Sequence, residues 1–278
     1  MKIGTCVRLT SMEDMPGQLA RSASMASIPV SLLPGSQVCG RMKMQPRCKP
    51  FWLNTTLLYP LSGAGEAEVW DFYDGQISLG LVPPEYRQMR IRNLCDGADF
   101  AHKLGILDVV THMGFIPENP YDPNFSSFCV AVRTVATHLK GNGQFLLFET
   151  GQETPVTMLR CFEQVGMDNL GVNLDTANLI LYGKANPVDA LDVFGQYVRG
   201  LHAKDGLYPT NGHELGRETR IGEGKVDFRA LFIRLRELGY DSYVTIEREI
   251  SGPQQLADIL ESRDYLQAVI DEVCQAKD

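Results

Sequence analysis

Nowhere in the 278 residues does an apolar run reach the roughly 18 to 20 residues that crossing a bilayer takes. The opening MKIGTCVRLT has no hydrophobic signal core either, so the chain reads as cytoplasmic. Cysteine never recurs at CxxC spacing. The seven cysteines are an odd, scattered set, which suits reduced thiols rather than a disulfide framework or a zinc motif. Positive charge is in the minority, with 26 Lys and Arg against 34 Asp and Glu and a formal charge of -8. A general electrostatic grip on nucleic acid or on an anionic membrane is therefore not expected. Histidine is also scarce, at five residues, which argues against a cluster of several zinc ions.

What is present is ordinary for a globular chain: 44% hydrophobic and 22% charged residues, enough apolar material for a sizeable core. From about Pro84 onward, helical patterns alternate with short hydrophobic runs, the signature of repeated βα units and a parallel sheet. Strands are predicted at Ile106–His112, Gln144–Glu149, Leu170–Asp175, Val198–His202 and Ser242–Glu247. Helices are predicted at Pro84–Leu104, Ser126–Lys140, Thr154–Val165, Pro187–Phe194, Asp227–Leu238 and Gly252–Cys274. Gly105, Gly141, Gly166 and Gly239 follow helices and read as their terminators. Lys2–Leu9 is a first strand, and Ser11 with Asp14 opens a helix to about Ala23. An alternating chain of this length fits one (β/α)8 barrel, a single domain over residues 1–278.

One stretch breaks the pattern. Arg21–Pro50 contains no Asp or Glu, five basic residues and four prolines, and has neither a helical nor a strand period. Residues 22–64 are thus an anomalous segment, read as an irregular insertion or as an out-of-frame translation. In support of the second reading, plausible codons for Met25–Ser36, taken in another frame, spell GFDSCQFAAWEP. Those for Leu53–Gly65 spell EYNITISALWGW. The first respelling is strand-like and the second reads as a helix end, a strand and an aromatic loop; on the out-of-frame reading the second and third strands are damaged.

Four of the predicted strands end on a polar residue with metal-ligating chemistry: Glu149, Asp175, His202 and Glu247. In a parallel barrel the strand C-termini open on one face, so these residues are expected to converge there despite their distance in sequence. A single strand-end acid is ordinarily a helix cap or a salt-bridge partner. Four such residues at one topological level point instead to a ligand set. Three carboxylates and an imidazole make a hard, mostly oxygen site for one divalent ion, manganese first, with magnesium, cobalt and zinc also compatible. Without a cation, the acids would raise one another's pKa.

The local motifs are FETGQETP around Glu149, GVNLDTANLILYG around Asp175, GLHAKDG around His202 and TIERE around Glu247, with RIGEGKVDF at Arg220–Phe228. Together they resemble the sugar phosphate isomerase/epimerase family, the xylose-isomerase-like TIM barrels. The resemblance covers roughly Trp70 to the C-terminus and the first 20 or so residues. It implies a metal-dependent isomerase or epimerase that moves a proton next to a carbonyl. Glu149 and Glu247 would be both ligands and the acid/base pair, acting through an enediolate. It further implies substrate contacts for His112, Asn178, Lys204 and Arg217. Asn178 stands where several epimerases carry a histidine, so it can hydrogen-bond but not titrate. Gln152, Glu153 and Asp205 are supporting candidates, and His213 is left open. Trp70, Phe72 and Tyr73 are candidates for the wall of a sugar pocket, while His102 and His138 read as surface or packing residues.

The expected partner is a small sugar or sugar phosphate, not nucleic acid or a membrane, and a homo-oligomer is compatible with this. Competing readings are an inosose-type dehydratase on the same site, an abasic-site endonuclease, and a barrel made inactive by its anomalous N-terminal part.

Overall fold

The computed structural model describes residues 1–9, 30–34, 56–58, 70–71 and 76–275. Strands form where short hydrophobic runs can be buried on both faces, as parallel sheets covered by helices require. In β7 (Phe145–Glu149) and β8 (Leu170–Asp175) only Phe145 retains partial exposure. The other barrel strands are β1 (Lys2–Leu9), β2 (Val30–Pro34), β3 (Thr56–Leu58), β6 (Asp108–Thr111), β9 (Val198–Ala203) and β12 (Tyr243–Ile246). They close into an eight-stranded barrel in the order β1, β2, β3, β6, β7, β8, β9, β12, every pairing parallel. Two antiparallel pairs stand outside the ring: β4 (Trp70–Asp71) with β5 (Gln76–Ile77), and β10 (Asp205–Leu207) with β11 (Arg217–Thr219).

The barrel therefore closes through the two positions expected to be disrupted, with β2 and β3 both in the ring. Their mutual register is set by a single pair, Leu32 with Leu57, whereas β1 and β2 share five. The remainder of the anomalous segment, and the helix predicted at Ser11–Ala23, lie outside the described residues.

Helices α1 (Pro84–Lys103), α2 (Pro123–Gly141), α3 (Pro155–Val165), α5 (Pro187–Phe194), α6 (Phe228–Glu237) and α7 (Pro253–Gln275) match the predicted ones to within a few residues. Their starts have a common local cause: proline at the first helical position, where its missing N–H is no loss, in α1, α2, α3 and α5. In α2, α3 and α5 the preceding Asp122, Thr154 or Asn186 side chain accepts a backbone N–H. Gly166 ends α3 in the left-handed conformation, φ 64°, as anticipated. Gly141 does not terminate its helix: it is the last residue of α2, and Gly143, φ 72°, makes the left-handed turn two residues later.

Away from the strand ends that carry the candidate ligands, the ring is tied by the Arg199–Asp108 ion pair at 3.0 Å, with the guanidinium stacked 3.5 Å from the Phe145 ring centre. Among the described residues, no helix is long and apolar enough to cross a membrane.

Candidate metal and active site

Glu149 is the last residue of β7 and Asp175 the last of β8; His202 is the penultimate residue of β9, and Glu247 directly follows β12. The Glu247 N–H donates to Ala203 O at 3.1 Å, which carries the β9–β12 pairing one residue beyond Ile246–Ala203 and brings Glu247 level with Lys204. All four side chains are buried, and one donor atom from each lies within 4.8 Å of the others. His202 Nδ1 is 2.9 Å from Glu149 Oε1 and 3.5 Å from Glu247 Oε2.

Each ligand candidate is held by one contact that leaves another atom free. Asp175 caps the short helix α4 (Thr176–Leu181): its Oδ1 accepts the Asn178 N–H at 2.7 Å. Its Oδ2 is buried and makes no hydrogen bond, and His202 Nδ1, though within ion-pair distance of Glu149 and Glu247, makes no hydrogen bond of good geometry to either. Glu149 Oε2 accepts from Asn173 Nδ2 at 2.6 Å. The Thr150 hydroxyl donates to Asp175 O and accepts its N–H, both at 2.8 Å, locking the ends of β7 and β8 together. Buried polar atoms are nearly always satisfied. Two unsatisfied donor atoms inside one cluster of carboxylates and imidazole therefore fit a cation.

Charge balance supports the same conclusion. Among the described residues, Lys204, itself buried, is the one ammonium in the cluster. Its Nζ is 3.6 Å from Glu247 Oε2, 3.8 Å from Asp175 Oδ2 and 2.5 Å from Glu249 Oε2, and it donates to Asn178 Oδ1 at 3.3 Å. With the imidazole neutral, as a ligand must be, the three buried carboxylates and Lys204 leave two negative charges, which a divalent ion offsets. Burial pushes the Asp175 carboxyl well above its ordinary range, against the pull of Lys204. At Glu247 burial acts in the same sense, but Lys204 and His202 outweigh it and hold that carboxyl well below its ordinary range. Burial also disfavours a charged His202, yet Glu149 and its other acidic neighbours raise its pKa well above the usual value. Asp175 and Glu247 are thus pushed in opposite directions, as two neighbouring buried carboxyls sharing one proton are.

The surrounding candidates divide. His112 sits at the rim after β6, where its Nδ1 is 3.2 Å from Gln152 Nε2. Asn178 and Lys204 contact each other beside Asp175. Arg217 is exposed on the β10–β11 hairpin, where it pairs with Leu207. Asp205 turns away to organise the loop ahead of α6: its carboxylate accepts the backbone N–H groups of Gly206, Gly222, Gly224 and Val226 at 2.8 to 3.1 Å. Glu153 is buried with neither carboxylate oxygen partnered, and that burial lifts its pKa to about 8. His138 bonds Asp99 at 2.7 Å, while His102 and His213 are exposed. The side chain of Trp70, with Phe72 and Tyr73, lies outside the described residues.

Two groups escaped the sequence reading. Asn173 is one, although it lies two residues before Asp175 and therefore on the same face of β8. Cys6 is the other: its Sγ is 4.0 Å from His202 Nε2, and strand alternation in β1 was the available signal.

A closed barrel of eight parallel strands, with buried carboxylates and a histidine gathered at the strand C-termini where such barrels carry their active sites, defines a class: TIM-barrel proteins. More particularly, a family model described as xylose isomerase-like TIM barrel matches residues 55–269, and the chain belongs to that family. A xylose isomerase domain protein from Planctomyces limnophilus is 30% identical and superposes with a TM-score of 0.85, covering 99% of this chain and 100% of that one. The structure of an L-ribulose 3-epimerase aligns with a TM-score of 0.72 over 99% and 97% of the two chains, at 16% identity. Among curated relatives, the uncharacterised protein MJ1311 of Methanocaldococcus jannaschii is 27% identical over 68% of this chain and 66% of its own length. An inosose dehydratase of Lacticaseibacillus casei is 26% identical over 44% of this chain and 45% of its own. The chain thus matches less than two thirds of either curated relative.

Proposed function

We propose that this protein is a divalent-metal-dependent isomerase or epimerase of sugars or sugar phosphates, moving a proton between substrate carbon and the carboxylates Glu149 and Glu247. The observation that carries the proposal is the convergence of four buried groups of ligand chemistry, with Asp175 Oδ2 and His202 Nδ1 left without a hydrogen bond. A divalent ion held by Glu149, Asp175, His202 and Glu247 would supply Lewis-acid stabilisation of negative charge on the substrate's carbonyl and hydroxyl oxygens. Glu149 and Glu247 come from β7 and from beyond β12, and both approach His202 Nδ1, so two carboxylates flank one small volume. One takes the proton from the carbon next to the carbonyl, and the electron pair passes to oxygen as an enediolate. Return of a proton to the opposite face gives the epimer; return to the neighbouring carbon gives the isomer. Lys204 and Asn178 are placed to hold a substrate oxygen beside Asp175, and His112 to do so at the rim.

A second reading, dehydration, is favoured by Lys204. A buried ammonium beside Glu247 can hand its proton to a departing hydroxyl, so that proton abstraction at one carbon ends in loss of water from the next. The match to an inosose dehydratase supports it. Product analysis on ketoses and inososes separates the two, because only dehydration yields a product lighter by one water.

For the primary reading, incorporation of solvent deuterium at the substrate carbon is expected to require added metal. Glu149→Gln and Glu247→Gln should each slow it by about 100- to 10,000-fold, the range a positioned general base supplies. Wild-type exchange in both variants would sink the mechanism.

A further inference from the structure

We propose that Cys6, His202 and Glu247 form a second seat for a divalent cation, one that takes thiophilic ions such as zinc or cobalt in preference to manganese or magnesium. The strand register creates it. Thr5 of β1 pairs with Ile246 of β12, so the following residues of the two strands, Cys6 and Glu247, arrive side by side at the barrel mouth. Cys6 Sγ stands 4.0 Å from His202 Nε2, and one donor atom each from Cys6, His202 and Glu247 lies within 4.8 Å of the others.

The His202 ring separates two chemically different environments. Its Nδ1 faces Glu149 and Glu247, an oxygen-rich side suited to manganese or magnesium, while Nε2 faces sulfur. Thiolate, imidazole and one carboxylate are three protein ligands of the kinds zinc takes, with a fourth position left for water. Manganese and magnesium favour oxygen donors and gain little from sulfur. Binding releases the thiol proton to solvent, so each zinc ion taken up in this seat displaces one proton from Cys6. Because both seats draw on His202 and Glu247, an ion held beside Cys6 withdraws two groups from the carboxylate site. Zinc would then act as an inhibitor of the manganese-loaded protein, a regulation by metal identity. The seat itself does not depend on the sugar chemistry.

The metal-free full-length protein, titrated calorimetrically with zinc, with manganese and with magnesium and spectroscopically with cobalt, provides the test. Wild-type protein should show a thiolate-to-cobalt charge-transfer band in the near ultraviolet that is missing from both Cys6→Ser and Cys6→Ala. Zinc affinity should fall in both variants by more than the about 10- to 100-fold typical of losing an outer-shell partner. Manganese affinity should be unchanged, which also demonstrates that the variants are folded. Absence of the band in wild type would overturn the proposal. So would equal loss of zinc and manganese affinity, which would make Cys6 only a hydrogen-bond partner of His202 Nε2. If neither manganese nor magnesium binds wild type and cobalt binds only where it gives the thiolate band, the sugar-enzyme reading falls and this seat stands.

Discussion

Glu149 owes its orientation to one amide. Asn173 Nδ2 donates to its Oε2 at 2.6 Å, leaving Oε1 turned toward His202, and Asn173 in turn has room only because residue 200 is glycine. A Cβ at Gly200 would overlap Asn173 Oδ1. Asn173→Ala removes the donor from a buried carboxylate, a change worth about 1–3 kcal/mol in unsatisfied polarity. Gly200→Ala pushes the same amide aside while leaving it in the chain. Both are expected to weaken manganese binding by about 10- to 100-fold, as loss of an outer-shell partner does. Calorimetric titration checks this, and full affinity in both variants would show that Glu149 is placed by its strand alone. The convergence of Glu149, Asp175, His202 and Glu247 was legible in the sequence because strand ends share one face of a barrel, and that rule needs no coordinates. Asn173 was not, because its role depends on the cross-strand register that sets Glu149 opposite Asn173, which no single strand reveals.

Among the elements, those from α1 onward were readable because each carries its own punctuation: proline at the first turn, a capping side chain, a hydrophobic run of strand length. The exceptions were α4, six residues with no room for a helical period, and the β10–β11 hairpin, whose short strands have no continuous apolar run. Residues 22–64 were the illegible part, and their composition offers the reason. The respelled frames place QFAA and ITI, to within about one residue, at Val30–Pro34 and Thr56–Leu58, the two stretches that fill the second and third barrel positions. Alternation suited to a strand is thus present in the other frame at the places where the fold needs strands. The family match also begins at residue 55, near the far end of the anomaly. Sequencing the coding DNA across Ala20–Glu66 is expected to reveal a pair of compensating single-base changes that bracket this segment. A continuous frame read identically from independent isolates would leave residues 22–64 as a true irregular insertion.

At the scale of the whole molecule, ring closure and ligand assembly are one event. The four candidate ligands lie on or just beyond β7, β8, β9 and β12, and Cys6 lies on β1, which joins β12 to β2 to complete the circle. None of these residues is close to the next in sequence, so the unfolded chain offers no preformed site, and an ion that binds the folded state adds its binding free energy to folding. At a free concentration about 100 times its dissociation constant, that contribution is about 2.7 kcal/mol. For a domain of this size, each kcal/mol moves the melting midpoint by about 2–4 °C, so manganese should raise it by about 5–10 °C over protein stripped with a chelator. The stripped protein must also hold the excess carboxylate charge that the ion would offset, and protonation of Asp175 and His202 relieves it, since both pKa values are raised in the cluster. The gain from manganese should therefore shrink as pH falls, because the stripped state takes up a proton that the ion has to displace. Scanning calorimetry with and without metal at neutral and at acidic pH measures both effects. Superimposable melts at neutral pH would mean that the carboxylates and Lys204 balance one another without an ion, and that the unpartnered Asp175 oxygen has some other purpose.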